Sequence, residues 1–170
     1  LALHAYLTGY LSALADYRVL LAADDPMRLP RLDKFSESTA GNPVEQFEFD
    51  GRRFSRSSLN YLLGLSLLKK HLGPDSIRIV LEIGGGFGTL GEILAQSGIP
   101  DMRYIDIDIP PTQFVAERYL ASILGKDCVA SYEDTNSYPT IAIDELPIAS
   151  VLCSWQIERL EGKVDLFVNF

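Results

Sequence analysis

The chain has 170 residues, of which 47% are hydrophobic and 22% charged, and its formal net charge is −8. That length suits one domain, or one with a small appendage, and the composition is too apolar for a disordered chain. The acidic balance excludes a binder of nucleic-acid backbones or anionic membrane surfaces, which need basic patches. Two cysteines, Cys128 and Cys153, are too few for a disulfide framework or a cysteine-based zinc site and point to a reducing, cytoplasmic setting.

Leu1 to Ala23 is apolar, but His4, Thr8, Ser12, Asp16 and Arg18 interrupt it. It has no basic start and never reaches the ~18 uninterrupted apolar residues of a membrane span. Leu3, Leu7, Leu11 and Leu14 recur at helical spacing, which predicts a core-facing amphipathic helix ended by Asp25-Pro26. Tyr6, Tyr10 and Tyr17 widen its apolar face beyond one stripe, and the extra surface calls for cover by the rest of the chain, a second subunit or both. Residues 26–46 read as a connector. Phe47–Phe49 and Arg52–Phe54 flank Asp50-Gly51, a hairpin signal because both turn residues tolerate positive φ. The cations Arg52, Arg53 and Arg56 beside this turn are expected to be solvated or to meet an acidic acceptor. Ser57 or Ser58 is placed to cap a helix from Leu59 to His71, with Leu62, Leu63, Leu67 and Leu68 among its apolar positions and Gly73-Pro74 as its stop. Two helices and a hairpin bury too little to stand alone. Residues 1–75 are therefore read as a cover on a second region, 76–170.

That second region alternates strand and helix, the pattern of an α/β fold with a parallel, three-layer sheet. Strands are expected at Ile77–Ile83, Met102–Ile109, Ile148–Cys153 and Val164–Val168, with weaker candidates at Val129–Tyr132 and Ile141–Ile143. A helix through Leu90–Ala95 follows the first strand. Another opens at Pro110-Pro111, buries Val115, Tyr119, Leu120, Ile123 and Leu124, and stops at Gly125; a short helical piece covers Trp155–Leu160.

Between the first strand and its helix lies Glu82-Ile83-Gly84-Gly85-Gly86-Phe87-Gly88. Glycines at this junction let backbone approach a ligand closely. Two patterns overlap here. Gly86, Gly88 and Gly91 match the dinucleotide fingerprint, whereas Glu82, Gly84, Gly86 and Gly88 match an acid followed by alternating glycines. The strand ends at Glu82-Ile83, so Gly84 is the first loop residue and Gly86 comes late for a dinucleotide site. A carboxylate at the strand end also opposes pyrophosphate and suits a cationic amino acid moiety. Asp106 and Asp108 end the next strand on one side of it, and Asp108 follows Gly88 by 20 positions, the separation expected of a ribose-binding acid.

The run Val80 to Gly88 resembles the first motif of class I S-adenosyl-L-methionine-dependent methyltransferases. Three stretches are more narrowly similar to a sugar O-methyltransferase family of bacteria: Gly41-Asn42-Pro43 through Phe54-Ser55, Leu81 to Leu90, and Tyr104-Ile105-Asp106-Ile107-Asp108-Ile109-Pro110-Pro111. The likeness covers most of residues 41–170. It implies a Rossmann-like sheet in the order 3-2-1-4-5-7-6, methyl transfer to an oxygen of a small acceptor such as a sugar, and no nucleic-acid or membrane partner. Glu82, Gly84, Gly85, Gly86, Phe87 and Gly88 would then form the cofactor loop. Asp108 would hold the ribose, with Asp106 as its hydrogen-bonded neighbour or substitute. Ser154, Trp155 and Gln156 would line the adenine pocket, the rival being Asp144 after Ile141–Ile143, and Asn169 would lie near the methionine end or the acceptor. No catalytic base is assigned; His4 and His71 are the only histidines. Because the chain begins with Leu and ends at Phe170, beside the fourth strand, the likeness also implies further sequence beyond these ends.

Overall fold

Gly9 stands at φ +74°, a left-handed conformation that no α-helix contains, and it breaks the apolar N-terminal stretch. Helix α1 therefore spans Tyr10–Ala23 instead of starting at Leu1. The computed structural model describes residues 3, 8–71 and 77–169, so His4, Tyr6, Leu7, the Gly73-Pro74 stop and Phe170 lie outside the described residues. The leucine stripe is displaced as well: α1 buries Ala13, Tyr17 and Leu20, whereas Leu3 and Leu11 are exposed.

The hairpin explains that displacement. Strands β1 (Phe47–Phe49) and β2 (Arg52–Phe54) pair antiparallel about Asp50 and Gly51, at φ +50° and +73°, the positive pair that an Asp-Gly turn supplies. The β1–β2 phenylalanines meet Tyr10 and Tyr17 at ring separations of 5.0 to 6.3 Å. Aromatic pairs of this kind bury more area than a leucine contact and add about 1 kcal/mol beyond it, so Tyr17 turns inward while Tyr10 packs on the hairpin and stays partly exposed. Arg52 is half-buried and held within the protein rather than freely solvated. Its guanidinium lies over the Tyr17 and Phe54 rings and donates to the Asp33 carbonyl at 2.9 Å and to Tyr17 Oη at 3.0 Å.

Helix α2 spans Arg56–His71 and starts earlier than the leucine pattern suggests. Ser55, rather than Ser57 or Ser58, caps it: Ser55 Oγ accepts from the Ser58 N–H at 3.1 Å, and Ser58 Oγ accepts from the Ser55 N–H at 2.9 Å. The helix buries Leu59, Leu62 and Leu65, leaving Leu67 and His71 exposed.

The remaining elements are β3 (Ile79–Ile83), α3 (Thr89–Ala95), β4 (Arg103–Asp108), α4 (Thr112–Leu124), β5 (Val129–Ala130), α5 (Tyr132–Thr135), β6 (Ile141–Ala142), β7 (Ala149–Cys153), β8 (Leu160–Glu161) and β9 (Leu166–Val168). Five strands form one parallel sheet in the order β5-β7-β4-β3-β9. The fold is thus α/β and compatible with a Rossmann-like arrangement. Val115, expected inside, is exposed; α4 buries Gln113, Ala116 and Leu120. β6 pairs only with β8, in a separate two-stranded piece. Hence Ala149–Cys153 is the strand beside β4, and Asp144 follows no strand of the main sheet.

The layering differs from the three expected. Val80, Tyr104, Ala149 and Val151 join one hydrophobic cluster with residues of α1, α2, α3, α4 and the hairpin. The other sheet face, Leu81, Ile105, Ile107 and Leu152, clusters with Ala130, Ile141, Ile143, Leu146 and Leu160, none of them α-helical. Helices thus crowd one face, and the segment before residue 75 shares their core. Among the described residues, no helix is long and apolar enough to cross a membrane.

Candidate functional site

The C-terminal ends of β3 and β4 gather most of the residues that the sequence singles out. The turn between β3 and α3 is shaped by three glycines at positive φ, Gly84, Gly86 and Gly88. Four of its N–H groups have partners within the protein. Gly84 N–H donates to the Ile107 carbonyl at 2.9 Å, Gly85 N–H to Asp106 Oδ1 at 3.1 Å, Gly86 N–H to Asp108 Oδ2 at 3.1 Å and Gly88 N–H to the Gly85 carbonyl at 3.1 Å. Two aspartates of one strand thereby hold the neighbouring turn in shape.

The face of this turn is open. A Cβ on Gly84 or Gly86 would meet no atom within 4 Å, and Phe87 is exposed beside them. Its underside is closed: a Cβ on Gly85 would stand 2.6 Å from both Asp106 Oδ1 and Tyr104 Oη. A Cβ on Gly91, on α3, would likewise stand 2.6 Å from the Tyr104 ring, so α3 sits close to β4 only because that residue lacks a side chain.

Glu82 lies beneath the turn and is fully buried. Its Oε1 accepts from Tyr61 Oη at 2.7 Å and its Oε2 from Tyr104 Oη at 2.6 Å. In this conformation both of its oxygens accept from tyrosines of the protein itself. Burial pushes its carboxyl above the usual range, and the two tyrosine donors act against that shift. Asp106 is its register partner on β4, also fully buried, with its carboxyl pushed up to about 7 by burial and then by the charge of Glu82. Asp108, one pleat further, is 9% exposed at the rim; besides Gly86 it accepts from the Ile109 N–H at 2.6 Å.

The β7 end is divided. Ser154 is half-buried, and Trp155 is exposed, edge-on to Tyr132 at 5.8 Å. Gln156 is turned inward and fully buried, contrary to its expected place on a pocket wall. Its Oε1 accepts from the Cys153 N–H at 2.8 Å and its Nε2 donates to Thr135 Oγ1 at 2.9 Å, which fixes the chain after β7. Asn169 does join the glycine turn, donating from Nδ2 to the Ile83 carbonyl at 3.0 Å.

Tyr61 and Tyr104 are site residues that the sequence reading missed. Tyr104 carried a signal, since it alternates with Asp106 and Asp108 along one face of β4. Tyr61 carried none, because α2 meets β3 only through tertiary packing. A second buried carboxyl set went unread too. Glu92 on α3 accepts from the Ser38 N–H at 2.8 Å and Tyr119 Oη at 2.6 Å, while Glu37 accepts from Ser55 Oγ at 2.8 Å. These bonds strap the connector across α3 to the start of α2. The chain matches no family model, no curated protein and no solved structure.

Proposed function

We propose that the protein is an S-adenosylmethionine-dependent O-methyltransferase acting on a small hydroxylated acceptor of the sugar type. The observation that carries the reading is the consumption of two of the turn's N–H groups by carboxylates. A pyrophosphate needs free N–H donors and no opposing charge; here Gly85 and Gly86 give theirs to Asp106 and Asp108, and Glu82 adds a third carboxyl below. Such a turn suits hydroxyl donors and cations instead. Apart from the two-residue β5 outside β7, the order β7-β4-β3-β9 also follows the 3-2-1-4 succession of the class.

The residues present fit that group. Asp108 sits at the rim, and each of its oxygens has a second lone pair to offer a ribose hydroxyl. The bare faces of Gly84 and Gly86 leave room for the ligand to lie against backbone. Phe87, Ser154, Trp155 and Asn169 stand around the same strand ends. The bound group supplies a methyl on a sulfonium, to be taken by an acceptor oxygen. The chain's part is binding and orientation, which govern such displacements. With Cys128 and Cys153 unpaired, a reducing cytoplasmic setting belongs to the same proposal.

Calorimetry tests it. S-adenosylhomocysteine is expected to bind the full chain and NAD is not; preferential NAD binding overturns the reading. Asp108→Ala is expected to weaken S-adenosylhomocysteine by about 1–3 kcal/mol, roughly 5- to 150-fold, as hydroxyl partners lose their acceptor.

A further inference from the structure

Two carboxyls lie side by side under the glycine turn. Glu82 and Asp106 are register partners on adjacent parallel strands, so their side chains leave the same sheet face about 5 Å apart. Both are fully buried. None of the ion pairs found among the described residues, Arg31–Asp33, Lys34–Asp33 and Lys69–Asp24, includes either of them. The titratable groups facing them are Tyr61 from α2, Tyr104 from β4 and Asp108 further along β4. Both tyrosines are held above their usual range by burial and by these same carboxyls, so they stay protonated and donate. Two bare carboxylates this close, out of water and without a cation, are relieved by keeping one proton between them.

The hydrogen bonds indicate which group carries it. Glu82 has an O–H donor on each oxygen, the pattern that favours a charged carboxylate. Asp106 receives a single N–H on Oδ1, and among the described residues its Oδ2 has no hydrogen-bond partner. Burying an unpartnered charged oxygen costs far more than burying an unpartnered hydroxyl.

We propose that Glu82 and Asp106 together hold one proton beneath the glycine turn, carried chiefly by Asp106, and that a cation settling on the turn drives it off. The first half stands on the pair alone. The second half rests on the reading of the turn as the site of a cationic cofactor, and it gives the site a way to tell a cofactor from its product. Both ligands carry the amino acid ammonium, but losing the methyl removes the sulfonium charge, so S-adenosylmethionine gains more than its product when Asp106 ionises. One charge at this range, partly screened, changes affinity roughly tenfold.

The first half is tested without ligand, by carboxyl-carbon NMR of the full chain from pH 4 to 9. One carboxyl of the pair is expected to titrate near pH 7 in the wild type and to be absent in Asp106→Asn, which can still accept from Gly85. Should Asp106→Asn fail to fold, Tyr61→Phe serves: with one donor fewer on Glu82, part of the proton is expected to pass to Glu82, so that its carboxyl carbon takes up a share of the titration near pH 7. Ionisation of both carboxyls below pH 5 overturns the proposal. For the second half, calorimetry at pH 6 and pH 8 is expected to show S-adenosylmethionine tightening several-fold more than S-adenosylhomocysteine, the margin of the one charge by which they differ. Equal changes overturn the coupling. Binding of neither ligand overturns the cofactor reading and the coupling with it, while the ligand-free titration still decides the first half.

Discussion

Replacing Lys69 by methionine is expected to cost about 3–5 kcal/mol of stability, the usual result of leaving one partner of a buried ion pair alone. Lys69 is on the last turn of α2 and is almost wholly buried. Its ammonium pairs with Asp24, at the end of α1, and donates to the carbonyls of Asp25 at 2.7 Å and Pro30 at 3.0 Å. One cation thus closes the junction between α1, the connector and α2. Methionine matches the stem but supplies no donor, so Asp24 and the carbonyls are left facing an apolar tip. For a chain of this size the melting temperature should fall by about 10 °C, read by thermal unfolding at neutral pH. A loss under about 1 kcal/mol would show that this junction takes its stability from the aromatic contacts of α1 instead.

That lysine also shows what the sequence could convey. The glycines, prolines and alternating apolar runs after residue 75 marked four strands of the sheet to within a few residues, because such punctuation acts locally. Asp-x-Asp on β4 announced two acids on one face for the same reason. By contrast, Lys69 reads as an ordinary basic residue near a helix end; its burial depends on carbonyls about 40 positions away. Arg52 follows the same rule, since its partners lie in the connector and α1. Gln156 read as a pocket-lining residue until α5 brought Thr135 to it. The leucines of α1 misled, because periodicity identifies a face without identifying what covers it, and three hairpin phenylalanines chose the tyrosines. Glu82 was legible as an important acid at a strand end, yet Tyr61, which closes its underside, comes from a helix that the sequence ties to β3 by no local signal.

The glycine turn offers the sharpest separation of shape from ligand contact. Gly85→Ala is expected to cost about 1–3 kcal/mol through overpacking and to abolish measurable S-adenosylhomocysteine binding, whereas Gly86→Ala should cost only about 1 kcal/mol, the strain of a side chain at positive φ. Gly85 has no positive φ to protect; its constraint is space. A methyl there would stand 2.6 Å from Asp106 Oδ1 and from Tyr104 Oη. Neither can retreat: both side chains are buried, and Tyr104 is held by Glu82 at 2.6 Å. The turn must lift, which breaks the Gly85–Asp106 bond and draws Gly86 away from Asp108. At Gly86 the methyl projects into open space, so the turn keeps its anchors and the change falls on the face where a ligand would lie. Urea unfolding measures the stability difference and calorimetry the binding. If Gly85→Ala keeps wild-type stability and affinity, the carboxyl pair beneath the turn does not set its shape. If it loses stability but binds normally, the ligand lies elsewhere on the sheet edge.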